Sequence, residues 1–316
     1  RLLEYQHYKD AAFELGSLDV LGRDVFQRPE NVELVGDSEE IDQEYNPLLT
    51  AKDAPKLMQE WANKSKKARQ GANARLGMRY GPTKEEYIDL FLAESSNAPL
   101  HLFIHGGYWR KGVAEDFSFI APQLVSSGVS VAIMNYALCP SVKIEEIVRQ
   151  TRAAIYWLVT QKDRHGSPFE RLTISGHSAG GHLVAMALAT DWKGDYGLDN
   201  DFISGACAIS GVFDLAPLPY SFLQPKLQLS LGDVESLSPI YHLPEKGPEL
   251  AIVVGGGETR EFIRQSRVFY DIWTARGLKG MWLEVEKVHH FNILNGLEDR
   301  NSELFKTILF SLKKLF

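Results

Sequence analysis

The chain has 316 residues, 44% of them hydrophobic and 24% charged, with a formal net charge of −7. That length can bury one large core. The negative balance, with no block of Lys and Arg, argues against nucleic-acid binding and against attraction to an anionic membrane, and no run of about 18 apolar residues reads as a transmembrane helix.

Residues 1–45 are rich in charge and low in apolar periodicity, with Glu39-Glu40-Ile41-Asp42 near the end. This stretch is expected to be an N-terminal extension that packs over the main domain or supports oligomer contacts, a homodimer being admitted. The chain begins at Arg1, so a removed leader is left open. Residues 54–74 are expected to be helical, with Leu57, Trp61 and Ala68 on one face. The basic cluster Lys64, Lys66, Lys67 and Arg69 reads as a solvated part of that helix.

From Tyr87 onward, short apolar runs alternate with helical segments. Strands are predicted at 87–92, 100–105, 129–136, 172–176, 205–210, 250–255 and 281–285, and helices at 144–162, 178–190, 261–276 and 302–316. Such alternation implies βαβ units and a mostly parallel sheet with helices on both faces, an α/β fold over residues 46–316. Pro217, Pro219 and Pro225, with Phe222 and Leu223 among them, mark an irregular excursion after the 205–210 strand that could roof a site. Cys139 and Cys207, the only two cysteines, have no metal-ligand spacing and suggest no disulfide scaffold, so a reducing, cytoplasmic setting is expected.

Gly176-His177-Ser178-Ala179-Gly180 matches G-x-S-x-G between a predicted strand and a predicted helix. That context is the one the serine elbow of the α/β-hydrolase fold requires, and it makes Ser178 the expected nucleophile. Ile104-His105-Gly106-Gly107-Tyr108-Trp109 ends an upstream strand. Its paired glycines let the backbone approach a carbonyl closely, and the amides of Gly107, Tyr108 and Ala179 are the expected oxyanion donors. In this fold the acid precedes the histidine, and both follow the serine. His289 and His290 follow the last predicted strand, and His290 is favoured as the base. The acid is Glu258, in Gly255-Gly256-Gly257-Glu258, or Asp214 after the preceding strand. Glu261 reads as a helix-start carboxylate. Metal ligation by His177 and His182 lacks a clear third ligand, and the hydrolytic scheme calls for no metal or organic cofactor.

The motifs His105-Gly106-Gly107-Tyr108-Trp109 and Gly176-His177-Ser178-Ala179-Gly180-Gly181-His182 resemble the kynurenine formamidase (arylformamidase) branch of the hormone-sensitive-lipase-like esterases. The resemblance runs from about Glu44 to the C-terminus. It includes Glu44-Tyr45-Asn46-Pro47, Ser210-Gly211-Val212-Phe213-Asp214-Leu215 and Glu261-Phe262-Ile263-Arg264-Gln265-Ser266. It implies an oxyanion hole at Gly107 and Tyr108, a base at His290 and an acid at Glu258. His289 and Glu258 both stand where that family has Asp. The implied reaction is hydrolysis of N-formyl-L-kynurenine, a small-molecule aromatic amide. Trp109, Phe213, Tyr220 and Phe222 are the aromatic residues expected to line its pocket. A broad short-chain carboxylesterase, another amidase and a non-catalytic binding protein on the same scaffold remain the alternatives.

Overall fold

The computed structural model describes residues 38–71, 73–169, 171–199 and 201–313. Most of the expected N-terminal extension, residues 1–37, and the last three residues of the expected C-terminal helix lie outside that set.

Eight strands form one sheet: β1 (Ala74–Arg79), β2 (Tyr87–Phe91), β3 (Leu100–Ile104), β4 (Ser130–Met134), β5 (Leu172–His177), β6 (Ile203–Ile209), β7 (Glu249–Gly255) and β8 (Gly280–Val285). Their order is β1-β2-β4-β3-β5-β6-β7-β8. The β1–β2 and β2–β4 pairs are antiparallel, and every pair from β4–β3 through β7–β8 is parallel. The principal helices are α1 (Ser38–Glu44), α2 (Ala54–Ala68), α3 (Ile144–Thr160), α4 (Ala179–Leu188), α5 (Leu231–Leu237), α6 (Arg260–Ala275) and α7 (Glu303–Lys313).

The two-residue period of the strands divides the core between the two faces of the sheet. Leu100, Leu102 and Ile104 of β3, with Ala132 and Met134 of β4, join Ile147 and Ile155 of α3, Leu183 and Val184 of α4 and Phe269 and Trp273 of α6. Phe103 of β3 and Val131 and Ile133 of β4 point the other way, against Leu57 and Trp61 of α2 and Phe305 and Ile308 of α7. Central strands covered on both faces explain why they read as continuous apolar runs rather than as alternating ones.

The helix expected over 54–74 ends at Ala68, and a strand not foreseen in the sequence, β1, starts at Ala74. The buried stripe of α2, at Ala54, Leu57, Trp61 and Ser65, has no continuation beyond Ser65 that could hold another turn to the core. β1 is a largely exposed edge strand with an irregular register between Arg75 and Met78. It therefore carries no apolar run for a sequence pattern to reveal. Arg69, just past the end of α2, pairs with the buried carboxylate of Asp89 on β2.

The segment ending the expected extension is built into the domain. Ile41 and Tyr45 are buried, and the Glu44 carboxylate accepts the Glu261 N–H at 3.0 Å in the first turn of α6. A carboxylate there satisfies an amide that the helix itself leaves unpaired.

Candidate active site

Because β3 and β5 through β8 are parallel, the segments leaving their C-terminal ends meet along one edge of the sheet. Five of these segments build the site.

Ser178 lies between β5 and α4 with φ 57° and ψ −119°, a conformation that L-residues rarely adopt. Its N–H donates to the Ile209 carbonyl at 2.8 Å, and its carbonyl accepts from Gly181 N–H at 2.8 Å. Gly180 has to be glycine: a Cβ there would collide with the Ile104 carbonyl oxygen at the end of β3. Every residue of α4 is buried, so the strained turn is held by a helix with nowhere to move.

The loop after β3 touches this elbow, since a Cβ at Gly106 would come within 2.9 Å of the Ser178 Cβ. Three consecutive residues take positive φ: Gly107 at 122°, Tyr108 at 51° and Trp109 at 54°. Packing and hydrogen bonds hold the two non-glycine residues in place. The Tyr108 hydroxyl donates to the Tyr45 carbonyl at 2.5 Å, the Trp109 carbonyl accepts from Cys139 N–H at 2.7 Å, and the Trp109 ring packs edge-on against His182 at 4.9 Å. Among the described residues, the N–H groups of Gly107, Tyr108 and Ala179 donate to no acceptor. The first two lie in the loop and the third opens α4.

His290, after β8, is 3% exposed, and its Nδ1 lies 2.6 Å from Glu258 Oε2. Glu258 Oε1 accepts from the Ser210 hydroxyl at 2.5 Å and from Gly255 N–H at 2.8 Å. The carboxylate paired with His290 is therefore Glu258. Asp214 turns its Oδ1 to the Ala216 amide at 2.9 Å. His289 points away, its Nε2 lying 2.9 Å from Asp53 Oδ1.

His290 is seated from two further sides. Phe262 packs on its ring at 4.5 Å between centroids, and His177, the residue before Ser178, lies 4.6 Å from it. His177 Nε2 donates to the His290 carbonyl at 2.7 Å. Burial, and then the nearby His290, hold the His177 imidazole well below its usual pKa, so it is a neutral donor. His182 Nε2 donates likewise to the Leu237 carbonyl at 2.7 Å, and burial pushes its pKa down to about 4. No hydrogen bond joins Ser178 Oγ to the His290 ring among the described residues. Contacts of this kind often tighten only around a substrate.

The expected aromatic lining needs correction. Trp109 and Phe213 have no exposed surface, and Phe213 stacks on Phe269 at 4.2 Å. Both are core side chains, because β6 and the loop after β3 turn them inward. Tyr220 is half-buried, and Phe222 is 37% exposed on the proline-rich excursion after β6. Sequence reasoning passed over Ser210, whose hydroxyl donates to Glu258, and Tyr45, whose hydroxyl lies 2.7 Å from Glu261 Oε1 and accepts from Gln265 Nε2 at 2.5 Å. The available signal was their place within the Ser210–Leu215 and Glu44–Pro47 segments.

A mostly parallel sheet with a serine elbow at its C-terminal edge defines an α/β-hydrolase. A family model described as BD-FAE matches residues 88–272. The kynurenine formamidase of Danio rerio is 30% identical, over 78% of this chain and 84% of its own. That of Drosophila melanogaster is 29% identical, over 69% of this chain and 74% of its own. Among solved structures, a Silicibacter protein provisionally called a thioesterase superposes with a TM-score of 0.77 at 29% identity, covering 85% of this chain and 99% of its own. An esterase of Pyrobaculum calidifontis shares the fold, with a TM-score of 0.67 at 16% identity over 88% of this chain and 97% of its own. The chain belongs to the BD-FAE family and to the family of the kynurenine formamidases, and it is a hydrolase.

Proposed function

We propose that the protein hydrolyses a small acyl amide of an aromatic amine, of the N-formylkynurenine type, through an acyl-enzyme on Ser178. The observation that carries this reading is the buried Glu258–His290 pair at 2.6 Å, seated beside the serine elbow and a loop of unengaged amides. Relatives named kynurenine formamidases support the substrate class.

Ser178 Oγ attacks the formyl carbon as His290 Nε2 takes its proton. The Glu258 carboxylate fixes the imidazole through Nδ1 and stabilises the cation that forms. The N–H groups of Gly107, Tyr108 and Ala179 receive the oxyanion, each donor of this kind being worth about 3 kcal/mol in the transition state. Collapse breaks the C–N bond, and His290 returns the proton to the leaving arylamine. Water then attacks the formyl-serine with His290 again as base, releasing formate and restoring the hydroxyl. Cys139 and Cys207 are both free and buried, which fits a reducing, cytoplasmic setting.

The test joins covalent labelling to turnover. A fluorophosphonate should modify Ser178 alone, as read by peptide mass mapping, and N-formylkynurenine should be cleaved faster than p-nitrophenyl acetate or butyrate. Rapid ester hydrolysis without formamide cleavage would replace the reading with a short-chain carboxylesterase. Unlabelled Ser178 in folded protein would end the nucleophile assignment.

A further inference from the structure

The loop that carries the oxyanion amides continues into Arg110 and Lys111, and Arg110 stands out on three counts. Its guanidinium lies over the ring of Phe222, 5.6 Å from the centroid. Its Nε is buried and donates to no acceptor among the described residues. No Asp or Glu among the described residues lies within ion-pair distance of either cation. Asp42, which meets the same segment, has its Oδ1 accepting the Phe222 N–H at 2.6 Å. A partly buried guanidinium without a counter-charge is unfavourable unless something anionic completes it.

Its place in the fold says what that anion is. Arg110 leaves the C-terminal end of β3 and Phe222 the segment after β6, so both lie on the edge of the sheet that carries Ser178, Glu258 and His290. The Arg110 Cα is two residues beyond the Tyr108 Cα, at most about 7 Å away along the chain. The cation also reaches that residue electrically: burial and then Glu258 raise the Tyr108 phenol, and Arg110 opposes them. An exposed aromatic face and an unsatisfied guanidinium side by side, the guanidinium on the same loop as the amides of Gly107 and Tyr108, suit a ligand with an aromatic ring and a nearby carboxylate.

We infer that Arg110, stacked on Phe222, forms the subsite that recognises a carboxylate on the leaving-group side of the substrate, and so selects aromatic acyl compounds that carry an acid over neutral ones. This rests on the reading of the site as an aryl-amide hydrolase and adds the specificity residue which that reading lacks. Arg110 takes no part in bond making. It holds the leaving group so that the acyl carbon faces Ser178.

Two matched substrate pairs test it: formylated arylamines with and without a side-chain carboxylate, and aryl esters with and without a carboxylate on the leaving alcohol. The reading is the ratio of kcat/KM, acid over neutral, in wild type, Arg110→Met and Arg110→Lys, with thermal melts to confirm folding. Arg110→Gln takes the place of Arg110→Met should the latter fail to fold. Wild type should prefer the acid. Removing the charge should cut the ratio at least about tenfold, mainly through KM. Lysine, which keeps the charge without the planar fork, should retain an intermediate ratio. The subsite is overturned if wild type shows no preference in either pair, if the ratio survives loss of the charge, or if the ratio falls through kcat alone. If only esters are cleaved, the formamidase reading fails, and the ester pair alone then decides the role of Arg110.

Discussion

Glu258 reaches across from the loop after β7 to place Oε2 2.6 Å from the Nδ1 of His290 on the loop after β8, while both residues are almost wholly shielded from solvent. The pair is possible because β7 and β8 are parallel neighbours in register to their last residues, Gly255 opposite Val285. Two short excursions from adjacent strand ends therefore meet. The chain enters the first through Gly255, whose N–H donates to Glu258 Oε1 at 2.8 Å.

Glu258→Gln keeps the shape of this contact but removes the charge that fixes the imidazole tautomer. kcat should fall by roughly two to four orders of magnitude with KM little changed. Steady-state kinetics on N-formylkynurenine and an aryl ester check this, and a variant retaining near-normal kcat would transfer the acid role elsewhere.

Ser210→Ala removes the hydroxyl that donates to Glu258 Oε1 at 2.5 Å. A hydrogen bond to a charged group contributes about 1.5–3 kcal/mol, so kcat should drop about tenfold or more while Ser178 still takes up a fluorophosphonate. Ser210→Thr, which retains the hydroxyl, should recover part of the loss. Equal kinetics in Ser210→Ala and wild type would mean that this contact does not orient the acid.

Gly180→Ala places a methyl against the Ile104 carbonyl oxygen, main chain in a central strand that has no room to retreat. A destabilisation of about 2–3 kcal/mol is expected, together with slower labelling of Ser178 as the elbow shifts. Urea unfolding followed by circular dichroism measures the first and stopped-time labelling the second. An unchanged midpoint would show that the elbow tolerates the strain.

Buried imidazoles make stability fall on acidification. Burial pushes His101 down to about 3, and His105 and His182 down to about 4, against about 6.5 in an unfolded chain. Between those values the unfolded chain binds protons that the folded protein refuses. The stabilisation is thus complete above pH 6.5 and is lost as pH falls towards 4. Near pH 5 each such group adds about 1.4 kcal/mol per pH unit to the slope. His182→Gln, in which the amide can still reach the Leu237 carbonyl, should flatten the slope by about one group's share. Urea midpoints between pH 4 and 7 give the comparison, and parallel slopes for variant and wild type would contradict the assignment.

Much of this architecture is legible in the amino-acid sequence. The seven strands expected from Tyr87 onward are β2 to β8, because strands buried on both faces must be apolar throughout and the helices between them must be amphipathic. β1 was hidden for the opposite reason, since an exposed edge strand needs no apolar residues. The aromatic residues Trp109 and Phe213 misled because composition reveals that a ring needs burial but not whether a ligand or the core supplies it. Ser210 was overlooked because a serine at a strand end has no periodic signal, and only its approach to Glu258 distinguishes it.

From the linear chain alone came the order of the elements and the position of the elbow, since both depend on neighbours within a few residues: the small side chains around Ser178, and the strand and helix patterns on either side. That Glu258 rather than Asp214 lies against His290, and that His289 turns to Asp53 instead, belonged to the tertiary structure. Both placements turn on which side chains, more than thirty residues apart, come within 3 Å of each other. That is set by strand register and by the close packing of Phe262 and His177 around one imidazole.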